Sequence, residues 1–325
     1  MRPTDRRTFL KHAASATALL WHGLETMPQQ GAAAAPQETA MLPIVDTHQH
    51  LWDLTKFRLP WLKPDDVFNK SHVMSDYLQA TAGLNVVKTV YIEVDVAPEQ
   101  QTEEAEYVTG LCQRADNPMA AAVISGRPAS DGFAKYISQF KDSFYIKGVR
   151  QVLHGDTTPP GYCLDDKFIK GIRLLGEMGK SFDLCMRAKE LPDAAKLIDA
   201  CPGTRFILDH CGNADVKEKD RSQWQKDMRD IAKRKNVVCK VSGIVASAEP
   251  GKWTADDLAP IVNHTLEVFG PDRVMFGGDW PVCTRAATFK QWVEALPSIV
   301  KDRKVEEQKK LFHDNAVKFY DLKDK

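Results

Sequence analysis

Eight short apolar runs, each closed by a polar residue or a turn signal, recur along this chain and restrict its fold more than any other feature. They occupy residues 44–45 leading into Asp46, 89–96, 119–125, 145–153, 182–186, 205–208, 237–241 and 273–276. Such runs suit strands buried on both faces, which occur in parallel sheets covered by helices. Segments 101–116, 165–179, 190–200, 221–235 and 255–269 carry helical apolar spacing between them, with Pro192 near a helix start, where proline is tolerated. The strand starts are separated by about 33 residues on average, the size of one βα unit. No long linker or low-complexity stretch interrupts the chain after residue 42. The expectation is therefore an α/β fold, a single (β/α)8 TIM barrel over residues 43–322, closed by a helix over 306–322. Residues 51–80, with Trp52, Pro60, Trp61 and Pro64, read as a long loop after strand 1.

Charge removes one class of partner. Lys+Arg and Asp+Glu both number 44, and beyond residue 35 the balance is 40 basic to 42 acidic side chains. No basic excess is left to neutralise a phosphate backbone, so nucleic acid is not expected as a partner. The first 35 residues read as an export signal: Arg6-Arg7-Thr8-Phe9-Leu10-Lys11, a mildly apolar stretch over 13–24, and small residues over 31–35. That stretch is too short to span a hydrocarbon layer, which takes roughly 20 residues, so no membrane span is expected. The paired arginines with Phe-Leu-Lys resemble the bacterial twin-arginine signal, which implies a periplasmic or otherwise exported protein. The seven cysteines are odd in number and contain no CxxC, so no disulfide framework is expected. Cys185, Cys211, Cys239 and Cys283 lie in or beside apolar runs and read as small buried hydrophobes.

Active sites of such barrels form at the C-terminal ends of the strands, so the polar residues that close each run carry the chemistry. The first is Asp46-Thr47-His48-Gln49-His50. Residues two apart in an extended segment face the same side, which brings His48 and His50 together as nitrogen ligands. His210 follows the run at 205–208, Asp279 follows that at 273–276, and Glu93 lies in the second run. His48, His50, Glu93, His210 and Asp279 could converge on one divalent metal, with zinc favoured by imidazole and carboxylate together. Each has a plainer reading: Glu93 as a carboxylate paired with a neighbouring base, His210 as a hydrogen-bonded core histidine, Asp279 as a turn residue before Trp-Pro. Arg150 and Arg187 could hold a substrate oxygen through their forked donors. Lys240 sits inside an apolar strand, where it must pair with a carboxylate such as Asp209 or reach the pocket wall. Trp52, Trp61 and Trp280 could stack on a sugar face or simply pack. His72, His264 and His313 read as structural, and His154 is open.

Taken in order, DTHQHLWD, FRLPWL, GVRQVLH, FDLCMRAKEL, FILDHCGN, VVCKVSGI, RVMFGGDWPVC and DNAVKFYDL resemble the amidohydrolase superfamily, in particular its amidohydrolase-2 branch of L-fuconolactonase- and L-rhamnonolactonase-like TIM-barrel hydrolases. The resemblance implies metal or catalytic roles for His48, His50, His210 and Asp279, and a substrate-orienting role for Arg150. FDLCMRAKEL supplies no lysine in the place where two-metal relatives carry a bridging one, which implies a single divalent metal, zinc, or none tightly bound. Gly278 stands where the branch more often has serine. The implied activity is opening of a sugar-acid lactone by an activated water, with Asp279 as base and a small molecule as partner. Two rivals are a metal-dependent decarboxylase of the same branch and a non-catalytic periplasmic sugar-acid binder. Neither the particular lactone nor the oligomeric state is legible.

Overall fold

A computed structural model describes residues 41–155 and 157–324; the expected export signal lies outside them. Eight parallel strands follow in chain order: β1 (Ile44–Gln49), β2 (Val86–Ile92), β3 (Met119–Ser125), β4 (Ile146–Val152), β5 (Ser181–Cys185), β6 (Arg205–Leu208), β7 (Val237–Val241) and β8 (Val274–Phe276). Each strand pairs with the next, and a parallel bridge between Gln49 and Trp280 brings the end of the sheet back to its beginning. This is the expected (β/α)8 barrel. Strands β1, β3 and β5 are buried along their whole length, which is why they read as apolar runs without alternation.

Helices cover the outside through the spacing seen in the sequence. Over Asp166–Glu177, Asp165 caps the first turn by accepting from the Lys167 amide at 2.8 Å, and Phe168, Ile172 and Leu175 turn inward. Burial of each such side chain contributes about 1.5–3 kcal/mol. Two helices were not legible: Phe133–Ser138, which is under two turns long, and Phe289–Val300, whose pattern Pro297 interrupts. The loop expected over 51–80 ends earlier, because Met74–Ala80 is helical. The closing helix is broken into Val305–Lys309, a π-helical turn over Lys310–Asp314 and Asn315–Tyr320. Its wider turn lets the adjacent Leu311 and Phe312 both enter the core. Among the described residues, no helix is long and apolar enough to cross a membrane.

Inside the ring, Val45, Val90, Ile92, Val123, Ile207 and Met275 form a packed cluster with Tyr320 and Leu322 from the C-terminal segment. The barrel is therefore filled at this level, and a cavity lies at the C-terminal strand ends. The register of β1 against β2 shifts between Asp46 and Gln49. Strict alternation would put Val45 and His48 on opposite faces; the shift lets Val45 join the interior cluster while His48 also faces inward above it.

Asn315 fastens the closing helix to the barrel by donating through Nδ2 to the carbonyls of Pro271 and Val274, both at 2.7 Å. Asn315→Ala strips two carbonyls of their donor and is expected to cost about 1–3 kcal/mol in urea unfolding. Unchanged stability would show that the helix is held by its apolar face alone.

Candidate active site

The ends of the strands surround a cavity of about 860 Å³, with His50, Arg150, Cys185, His210, Gly243 and Asp279 on its wall. His48 lies just behind that wall. The His48 ring centroid is 4.8 Å from that of His50 and 4.4 Å from that of His210. Asp279 Oδ1 lies 3.4 Å from His50 Nε2 and 3.7 Å from His48 Nε2. Four side chains from residues 48, 50, 210 and 279 thus meet at one point.

Hydrogen bonds set which nitrogens face that point. His50 Nδ1 is 2.9 Å from the Ile92 carbonyl, which can only accept, so the hydrogen sits on Nδ1 and the Nε2 lone pair faces Asp279. His48 Nδ1 faces the Asp209 carboxylate at 3.5 Å and Lys240 Nζ at 3.3 Å, while its Nε2 lies 3.3 Å from Arg150 Nη1. Burial pushes His48 well below the ordinary imidazole range, against the pull of Asp209, so the ring is neutral near pH 7. Burial acts the same way on His210 and is the largest single influence, but the Asp279 carboxylate together with Cys185 and Asp209 outweighs it and the net shift is upward. His210 Nδ1 lies 2.9 Å from Ser242 Oγ.

Two lone pairs, on His50 Nε2 and the Asp279 carboxylate, oppose each other across 3.4 Å with no hydrogen between them unless one of the two groups takes up a proton. One atom each from His48, His210 and Asp279 lies within 4.8 Å of the others. This donor set fits a divalent cation of the zinc type.

The backbone is bent to make the cluster. His210, Cys211, Gly212 and Asn213 all have positive φ, as does Asp279 at 56°. Left-handed conformation in non-glycine residues costs roughly 1–2 kcal/mol each and turns the chain sharply just beyond the strand. Gly243, at φ +65°, packs so close that a Cβ there would lie 2.2 Å from His210 Nδ1 and 2.9 Å from Asp279 Oδ2. Gly278 is constrained by space alone: its amide donates to Asp46 Oδ1 at 2.7 Å, and a Cβ would lie 2.2 Å from the Phe289 ring. Close packing thus accounts for glycine in place of the expected serine.

Other expectations need correction. Glu93 is not brought into the ligand set. Its Oε1 accepts from Arg150 Nε at 2.8 Å and its Oε2 from the Asp95 amide at 2.7 Å, so pairing with a base replaces the metal role. Lys240 is fully buried and does not reach the cavity; its Nζ donates to Asp183 Oδ2 at 2.6 Å and lies 3.1 Å from Asp209 Oδ1. It is the floor beneath His48 rather than a substrate contact. Arg187 borders the cavity, yet its guanidinium donates to the carbonyls of Leu153, Gly155 and Thr158 and so holds a loop. Trp52 and Trp61 both line the cavity; Trp52 is 1% exposed and donates its indole N–H to the Lys70 carbonyl, whereas Trp61 is 38% exposed and donates to the Val94 carbonyl. Trp280 packs edge-on against His72 and Tyr77. His154 lines the cavity; His72, His264 and His313 do not. Sequence reading missed Asp46, Asp183, Ser242 and Gly243, whose roles depend on neighbours distant in the chain.

The amidohydrolase family profile matches residues 45–322. The chain belongs to the amidohydrolase family. It is 26% identical over 258 residues to the L-fucono-1,5-lactonase of Burkholderia multivorans, covering 76% of this chain and 85% of that one. It is 20% identical to the L-rhamnono-gamma-lactonase of Scheffersomyces stipitis over 86% of this chain and 98% of that one. Among solved structures, an amidohydrolase from Burkholderia multivorans with bound zinc superposes with a TM-score of 0.76 at 23% identity, covering 86% of this chain and all of the other.

Two substitutions test the construction of this amidohydrolase site. Gly243→Ala is expected to drive His210 and Asp279 apart and destabilise the fold by about 1–2 kcal/mol, read from urea unfolding. A variant as stable as the parent would mean that the cradle yields freely. Behind Glu93, Glu104 accepts from Tyr91 Oη and the Val94 amide, while its Oε2 has no partner. Burial, with Glu93 nearby, pushes this carboxyl up to about 8. Because the folded value is raised, its stabilising contribution is complete below the unfolded value near 4.5 and is lost as pH rises towards 8. Glu104→Gln removes that loss, so its Tm relative to the parent should rise by ~2 °C or more between pH 5 and pH 9. A pH-independent difference would count against a buried neutral acid.

Proposed function

We propose that this amidohydrolase opens a small lactone, a sugar-acid lactone by preference, through attack of water on the ring carbonyl. The observation that carries the reading is the Asp279 carboxylate on the cavity wall, with its Oδ1 within 3.7 Å of two imidazole nitrogens. The two lactonases to which the chain is similar support the substrate class.

Asp279 takes the proton of the attacking water and returns it to the ring oxygen as the carbon–oxygen bond breaks. The Arg150 guanidinium, on the cavity wall beside the His48 imidazole, is the hydrogen-bond donor placed to meet negative charge as it develops on the carbonyl oxygen. Arg150, held by Glu93 through Nε at 2.8 Å and through the Glu93 carbonyl at 2.6 Å, presents its remaining edge to the substrate. Trp61 offers a ring to one side of the ligand. His48, His210 and Asp279 would hold the divalent ion, zinc in this reading, and His50 lies against the same carboxylate. When bound, such an ion polarises the carbonyl and lowers the pKa of water. The zinc-bearing Burkholderia multivorans structure supports that choice of metal.

A pH-indicator screen of aldonolactones, with and without chelator, should show acid release. Asp279→Asn should lower turnover by about 10³-fold with an unchanged circular dichroism spectrum. Carbon dioxide release from an aromatic or dienoic acid, with every lactone inert, would overturn the reading in favour of a decarboxylase. Lactone turnover that survives in Asp279→Asn would remove Asp279 as the base.

A further inference from the structure

Cys185 is the last residue of β5, and among the seven cysteines it is the one on the cavity wall. Beside it stands the His210 imidazole, whose Nδ1 is turned towards Ser242. One atom each from Cys185, Asp209 and His210 lies within 4.8 Å of the others, so His210 belongs to two ligand-sized sets at once. The second set has an independent mark. Asp209 is 1% exposed, and neither of its carboxylate oxygens makes a hydrogen bond of good geometry. Lys240 Nζ at 3.1 Å, His48 Nδ1 at 3.5 Å and Arg150 Nη1 at 3.8 Å surround it, and none of them makes a well-aligned hydrogen bond to its oxygens. A buried carboxylate whose oxygens lack a well-formed hydrogen bond, beside a thiol and an imidazole, is an environment that a cation can complete.

We propose that Cys185, with His210 and Asp209, forms a thiolate-containing cation position on the cavity wall, so that the site selects thiophilic divalent ions such as zinc and cobalt(II) over magnesium. Sulfur, nitrogen and oxygen donors around one tetrahedral ion lie roughly 3.3–3.8 Å apart, so the three side chains draw in by about 1 Å on binding. The Cys185 thiol loses its proton to solvent as the sulfur–metal bond forms. Because Ser242 occupies Nδ1, His210 has one nitrogen to offer. A single ion therefore chooses between the His48–Asp279 side and the Cys185–Asp209 side, and the thiolate gives the second side its preference for softer metals. The inference shares with the proposed function only a cation at His210; lactone hydrolysis itself is independent of it.

The test is cobalt(II) titration of the chelator-treated full chain, followed in the near ultraviolet, where sulfur-to-cobalt charge transfer absorbs. The parent should develop that band, Cys163→Ser should keep it, and Cys185→Ser should lose it while binding cobalt at least ~10-fold more weakly. Cys185→Ala serves if the serine variant fails to fold. Cobalt binding by the parent without the band overturns the thiolate position and leaves the His48–His210–Asp279 reading standing. Persistence of the band in Cys185→Ser also overturns it. A parent that binds no cobalt overturns both cation readings, whereas the lactone screen with chelator still decides the hydrolysis.

Discussion

A single buried carboxylate determines whether the first and last strands present their side chains to one point. Asp46 Oδ1 accepts from the His48 amide at 2.9 Å and from the Gly278 amide at 2.7 Å, and its Oδ2 accepts from Tyr77 at 2.8 Å. Burial pushes its pKa up, and these three donors, which stabilise the charged form, offset that rise only in part. The amides belong to the residue that carries one imidazole and to the neighbour of the residue that carries the acid. Asp46 therefore sets the distance between β1 and the loop after β8. The hydrogen bond from the Asp279 amide to the His48 carbonyl, at 2.7 Å, fixes the same seam from the other side. With the ring joined here by few strand contacts, these polar links are what make closure and site assembly one event.

A second layer of charge lies below. Lys240 neutralises Asp183 and Asp209 inside the barrel, and Asp209 in turn faces His48. Burial raises Asp183 to about 7 despite Lys240, and burial acts on Asp209 too, but there the Lys240 ammonium and the other neighbours together prevail and hold it well down. The two acids are tightly linked through one ammonium, and the charged form is best supported on Asp209, which has more cationic neighbours. The apolar cluster beneath gives this polar storey a rigid base, so His48 has little freedom to turn its ring.

Much of this was legible in the sequence. The apolar runs gave the strand order because a parallel barrel buries both faces of its strands, and the polar residues at their ends marked His48, His50, His210 and Asp279. What could not be read depends on distance in space. Glu93 and Arg150 are 57 residues apart in the chain and join as a pair, so the carboxylate looked like a free ligand. Lys240 announced a buried partner, but not that it would have two. Cys185 resembled any core cysteine, because hydropathy does not distinguish a thiol against a cavity from one against leucine. The short helix at Phe133–Ser138 has too few turns to show a period.

The packed interior, with Tyr320 and Leu322 from the C-terminal segment, has a consequence for traffic. That packing closes the barrel beneath the hollow, so the hollow opens on the side of the strand ends. Whatever enters must leave against the direction of the next arrival, so a reacted molecule and a fresh one compete for the same passage. Departure then becomes a step on which shape of the rim, rather than the chemistry below it, can impose the pace.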